Sequence, residues 1–134
     1  EKYEYKVGCP PSGPLACLLF CMPAAPASQP KTVIISHAIA VLSALCAVAV
    51  HDFIPVLDVP KPVVGLVLSI LAMKLTKALT PPAAAYAAAL SGSGTTFGAV
   101  LTGPGTLGAV VLIVVQQVYF KITDALSGTK AKKA

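Results

Sequence analysis

Arginine and tryptophan are absent from this 134-residue chain, and only 11% of its residues are charged. Without arginine no side chain can grip phosphate or a base edge with two parallel bonds, and the ten lysines are scattered, so nucleic acid is not an expected partner. Carboxylates are as scarce: Glu1, Glu4, Asp52, Asp58 and Asp124 are the whole set, and none lies inside an apolar run. Paired carboxylates, a Ser/His/Asp set and a phosphate-binding loop are all missing, so the chain is not expected to be an enzyme. Cys17 and Cys21 are four apart and share a helical face, but no second Cys or His pair follows at zinc-ligand spacing, so no metal site is expected. With Cys9 and Cys46 they read as small apolar packing residues, a disulfide through Cys9 being the alternative.

What is present resembles hydrocarbon. Hydrophobic residues make up 56% of the chain and the mean hydropathy is +0.82. A domain this small leaves much of its surface exposed, so in water the excess would form large apolar patches; a bilayer removes that problem. The composition therefore predicts an all-α membrane protein whose partners are the lipid bilayer and other membrane-protein subunits. Alanine and glycine suit close helix contacts there. The charged and aromatic start, Glu1 to Lys6, is no signal peptide, and without an initiator methionine it reads as processed or truncated.

Residues 1–14 read as an extended polar arm and 15–120 as the membrane domain. Leu15 to Met22 is apolar but short: eight helical residues rise about 12 Å, against a hydrocarbon core of about 30 Å. Pro23 to Pro30 then holds three prolines, which rules out regular helix. Spans are expected over 33–50, 63–79 and 106–120. The second ends on Lys74 and Lys77, which can snorkel, and the third follows a break at Gly103-Pro104-Gly105. Ala83 to Leu90 is helical and too short to cross. The fold expected is thus about three transmembrane helices plus two short re-entrant or broken segments, with a basic tail over 121–134. On that topology the 80–105 region lies on the N-terminal side. Lysines divide five and five between the two sides, so the positive-inside rule selects no orientation.

His37 sits four residues into the best span, where an ionised imidazole is costly and a neutral, hydrogen-bonded ring is expected. Three roles are open to it: packing, part of a polar path for an anion or proton, or axial ligand to the metal of a bound pigment such as chlorophyll. Ser36 beside it reads as helix-contact glue, and His51 beside Asp52 as a solvated cap. Gln116 and Gln117 cannot both face lipid cheaply, so at least one should point into the bundle or to a partner. Irregular backbone at membrane depth survives only under cover of protein or a wet cavity, and Leu15–Pro30 and Thr80–Gly94 are two such pieces. Paired breaks of this kind mark substrate sites in transporters and also arise from packing.

At these breaks the sequence resembles the HPP family of integral membrane proteins. Gly13-Pro14-Leu15-Ala16-Cys17-Leu18-Leu19-Phe20, then Ser28-Gln29-Pro30-Lys31-Thr32-Val33 and His37, look like its G-x-S-A-x-L-L-F, A-Q-P-R-N-V and G-H blocks. Thr80-Pro81-Pro82-Ala83-Ala84-Ala85 looks like its H-P-P-A-G-A motif, with Thr80 in place of the histidine and Ala84 in place of the glycine. Ser36 replaces the glycine before the span histidine, and the membrane helix the family carries ahead of Gly13 is not seen in this sequence. Plant members are chloroplast membrane proteins associated with nitrite transport. The resemblance therefore implies a plastid or bacterial membrane, of which a chloroplast membrane, thylakoid or inner envelope, is the one expected here. It leaves two functions in view: a non-catalytic subunit packed against a larger complex, for which a thylakoid photosynthetic complex is the natural host, or a homo-oligomeric transporter of a small anion. The second expects His37, Lys31, Thr80 and Gln29 to form one polar site.

Overall fold

The computed structural model describes residues 12–53, 59–93 and 104–131. Five α-helices fill most of that length: α1 (Ser12–Cys21), α2 (Pro30–Phe53), α3 (Lys61–Leu75), α4 (Pro81–Gly92) and α5 (Pro104–Ala131). A single 3-10 turn, Pro26–Ser28, joins α1 to α2, and no strand occurs among the described residues. Prolines set the starts. Each helix after the first has proline within its first two residues, where the fixed φ suits the helix and the lost N–H had no partner anyway. The remaining first-turn donors turn back on the residue before the helix: Val63 and Val64 to the Pro60 carbonyl, Ala83 and Ala84 to that of Thr80. The starts of α3 and α4 carry no side-chain cap.

α2, α3 and α4 form a tight trio. Ser36, Ala40, Ser43, Ala44 and Ala47 run down one side of α2 at helical spacing and are all buried, so the neighbouring axes come close. One core cluster joins Ala40 and Val41 of α2 to Met73 of α3 and to Ala83, Ala84, Tyr86 and Ala87 of α4. α3 and α4 cross at Gly65, where an added Cβ would lie 2.5 Å from Ser91 Oγ and 3.2 Å from the Ala87 carbonyl. A second cluster carries α1 and α5 against the start of α2: Leu15, Leu19, Val33, Ala109 and Ile113.

Among the described residues two helices are long and apolar enough to cross a membrane, Pro30–His51 and Gly105–Leu126, where about three spans were expected. The span expected over 63–79 stops short because α3 ends at Leu75, and its 15 residues rise about 22 Å. Its stop is a paired reversal. Ala78 N–H bonds the Met73 carbonyl and Lys77 N–H that of Lys74, with Lys77 at φ 55°. This is the arrangement that usually takes glycine at the left-handed position. α4 then returns antiparallel along α3, bringing Gly92 against Pro62. The far end of α4 therefore lies beside the start of α3, not on the N-terminal side where the 80–105 region was expected. The last helix begins at Pro104, as the Gly-Pro-Gly break suggested, but runs on to Ala131 where a polar tail was expected after Phe120. The 1–11 part of the arm, with Cys9, lies outside the described residues; 12–14 already belong to α1.

Candidate functional site

His37 is 5% exposed, and its environment is built from three helices. Within α2 its Nδ1 lies 2.8 Å from the Val33 carbonyl, which also accepts the Ser36 hydroxyl at 2.9 Å. A carbonyl only accepts, so Nδ1 carries the proton, and in the neutral ring Nε2 keeps its lone pair. From α4 the Tyr86 ring lies against the imidazole, centroids 5.9 Å apart and planes at 37°. Tyr86 in turn shares a 3.0 Å hydrogen bond with Thr106 Oγ1 in the first turn of α5. It can stand there because residue 105 is glycine: a Cβ at Gly105 would collide with the Tyr86 ring.

His37 also lines a cleft of about 380 Å³ between α2 and α5. α2 supplies Ile34, Ala38, Val41, Leu42 and Leu45 to its walls, and α5 supplies Thr106, Ala109, Val110 and Ile113. His37 and Thr106 are its polar members. Ile34, Leu42 and Val110 at the rim are each more than half exposed, so the cleft faces the surroundings of the bundle.

The residues singled out in the sequence separate. Gln29 and Lys31 are exposed at the start of α2 and are not among the residues lining the cleft. Thr80 is fully buried ahead of α4, and its Oγ1 has no hydrogen-bond partner. Of its motif neighbours, Pro82, Ala83 and Ala84 are buried in the trio while Pro81 and Ala85 are exposed. That helix start gives no free N–H to an anion, because Pro81 and Pro82 have none and Ala83 and Ala84 bond Thr80. Ser36 spends its hydroxyl on its own helix, so it serves contact by being small. Gln116 is buried and donates Nε2 to the Leu19 carbonyl at 2.8 Å, tying α5 to the last turn of α1, while its Oε1 has no partner. Gln117 is exposed. Cys17, Cys21 and Cys46 are free thiols, all exposed on the chain's surface. The part that Tyr86, Gly105 and Thr106 play beside His37 was not read from the sequence. The one clue to Tyr86 was an aromatic side chain set alone in a run of alanines.

Compared with known protein families, the chain matches the one described as HPP, transmembrane region, over residues 2–127. The chain belongs to the HPP transmembrane family. The match is wider than the blocks quoted above, which run from Gly13 to Ala85, and it makes this HPP chain a membrane protein, in keeping with the two bilayer-length apolar helices among its described residues. No curated protein and no solved structure matches it. Within the HPP chain, the motif residues from Pro82 to Ala84 serve as packing surface, and His37 is one of the two polar side chains that line the cleft.

Proposed function

We propose that this HPP chain is a non-catalytic membrane subunit that packs against a larger membrane complex through the outer face of α5. The observation that carries this reading is Gln117. It is exposed in the apolar part of α5, one turn before Lys121, between exposed Val114, Val115 and Val118. An amide facing lipid leaves its donors and acceptor unmet, and a helix of another subunit meets them. The rest of α5 agrees: 22% of its most apolar stretch is buried within the chain, against 44% for α2. A chloroplast membrane, thylakoid or inner envelope, is the compartment we propose, on the family resemblance alone.

The test is to place a photo-crosslinking residue at Gln117 and, as a control, at Val67, which is exposed on α3. Extraction in mild detergent with mass measurement of the intact assembly is expected to give a complex of fixed stoichiometry, joined through position 117 and not through 67. A monomer cross-linked only to lipid would overturn the reading. So would saturable nitrite flux through the purified chain alone in liposomes, the outcome expected of a small-anion transporter.

A further inference from the structure

We infer that the cleft beside His37 is an axial-ligand site for a metallotetrapyrrole, a flat macrocycle bringing its own magnesium or iron with one axial position open. This inference does not depend on the subunit reading; it rests on the ring, the walls and the donor count.

The ring is set as a ligand is set. Metal-binding histidines donate their second ring N–H to a carbonyl or carboxylate, which fixes the tautomer and raises the basicity of the other nitrogen. His37 does this through Nδ1 and the Val33 carbonyl, and the Tyr86 ring packs beside the imidazole at a centroid distance of 5.9 Å. Nε2 makes no hydrogen bond among the described residues, so a bare lone pair is kept in an apolar setting. Coordination uses that lone pair directly; Nδ1 keeps its proton and none is released.

The donor count selects the ligand class. A free metal ion needs several protein ligands, yet His37 is the only nitrogen donor in the cleft, and no group of three or more His, Cys, Asp or Glu converges among the described residues. The metal must therefore arrive with its remaining ligands attached. The walls fit such a body. They run from Ile34 to Leu45, about 16 Å along α2, and Thr106 is already engaged by Tyr86. The rim residues Ile34, Leu42 and Val110 would be covered by the macrocycle edge, removing apolar area that the chain itself leaves open.

The test titrates the full chain, purified in detergent, with three probes: ferrous haem, chlorophyll a, and metal-free protoporphyrin. Saturable one-to-one binding is expected for at least one metal-bearing probe, with a shift in its absorption bands on axial ligation, and not for the metal-free ring. Which probe saturates tells iron from magnesium. His37→Leu should abolish saturable binding while His51→Leu leaves it unchanged. Ala38→Phe, which narrows the cleft and leaves the ligand in place, should weaken it. His37→Ala should regain the ligation bands on addition of free imidazole. Equal uptake of the metal-free ring, or unchanged binding by His37→Leu, means partition into the micelle and overturns the proposal. No saturation by any probe overturns it, as does a co-purified hydroxylated lipid lost from His37→Leu. The comparison of probes on the unaltered chain holds even where a variant fails to fold.

Discussion

The α2–α3–α4 trio and the α1–α5 pair are made of the same small and branched apolar residues, yet they use them in opposite ways. In the trio the small residues are contact points. Gly65 receives Ser91 and Ala87, Gly92 lies against Pro62, and Ala40, Met73, Ala83 and Ala87 are sealed from the surroundings. In α5 the corresponding surface is open, with Leu107, Val111, Val118 and Ile122 about half exposed and nothing within 4 Å of an added Cβ at Gly108. A helix needs length and apolarity to enter a bilayer, but it needs small residues opposed by a neighbour to fold there. The trio has the neighbours within the chain, and the outer side of α5 has them only if another molecule brings them.

Substitution at the glycines is the strongest way to break this contrast. Gly65→Val forces branched carbon into Ser91 Oγ and the Ala87 carbonyl, and the backbone on one side has no room to give. It is expected to destabilise the protein by about 3 kcal/mol, the upper range for overpacking, read as a shift in the denaturant midpoint in mixed micelles. Next comes Gly105→Ala. Its methyl meets the Tyr86 ring, which can swing away only by leaving Thr106 and the imidazole, so a loss of about 2 kcal/mol is expected. Because the clash is with one side chain, Tyr86→Ala should make Gly105→Ala nearly neutral in a double-mutant cycle. Additive effects would show that the aromatic is not seated on this glycine.

How far these contacts could be read in advance differs by region. The uncharged run from Val33 to Val50 gave most of α2, but Pro30, read as part of a stretch without regular helix, opens that helix, and Pro81 and Pro82, which mark the end of an apolar run in the sequence, open α4, because proline breaks a helix only after its first turn. Gly103-Pro104-Gly105 likewise gave the start of α5. The end of α3 was hidden: a stop that normally announces itself by glycine is made here with Lys77, and hydropathy alone carries the pattern on to Leu79. The extension of α5 past Lys121 was hidden for the converse reason, since a helix that leaves hydrocarbon can continue through lysine and aspartate without a change in its backbone. His37 was legible as a polar residue in a span. Its surroundings were not, since Tyr86 and Thr106 reach it from 49 and 69 positions away in the sequence, and no periodicity encodes such pairs. The anion-site grouping of Gln29, Lys31 and Thr80 with His37 came from the transporter reading of the resemblance, and the structure leaves Gln29 and Lys31 exposed at the start of α2.

Gln116 is where the two regions are joined by a polar bond, and it sharpens the comparison at smaller scale. Its Nε2 meets the Leu19 carbonyl, one of the last-turn acceptors of α1 that no residue of that helix can satisfy. Gln116→Leu strips that acceptor but also removes the unpartnered Oε1, so the two terms partly offset. A net loss of about 1 kcal/mol is expected, with faster hydrogen exchange confined to the end of α1. Gln117→Leu, one residue on, should leave the isolated chain unchanged, since its amide makes no contact for the chain to lose. Equal effects at the two positions would erase the distinction between the inner and outer sides of α5.

The smallest effect should come from Gly108, and its sign is what matters. An added methyl there meets nothing within 4 Å, so Gly108→Ala removes the conformational freedom of glycine without a clash. Stabilisation of the isolated chain by about 0.5 kcal/mol is expected from helix propensity alone, against the large loss at Gly65. In the intact membrane assembly the same substitution should reverse sign if a neighbouring helix approaches α5 along this side, because the methyl then stands where that backbone must pass. A gain in stability in detergent together with a fall in the yield of assembled complex would assign Gly108 to the contact. A gain in both would place the partner elsewhere on α5.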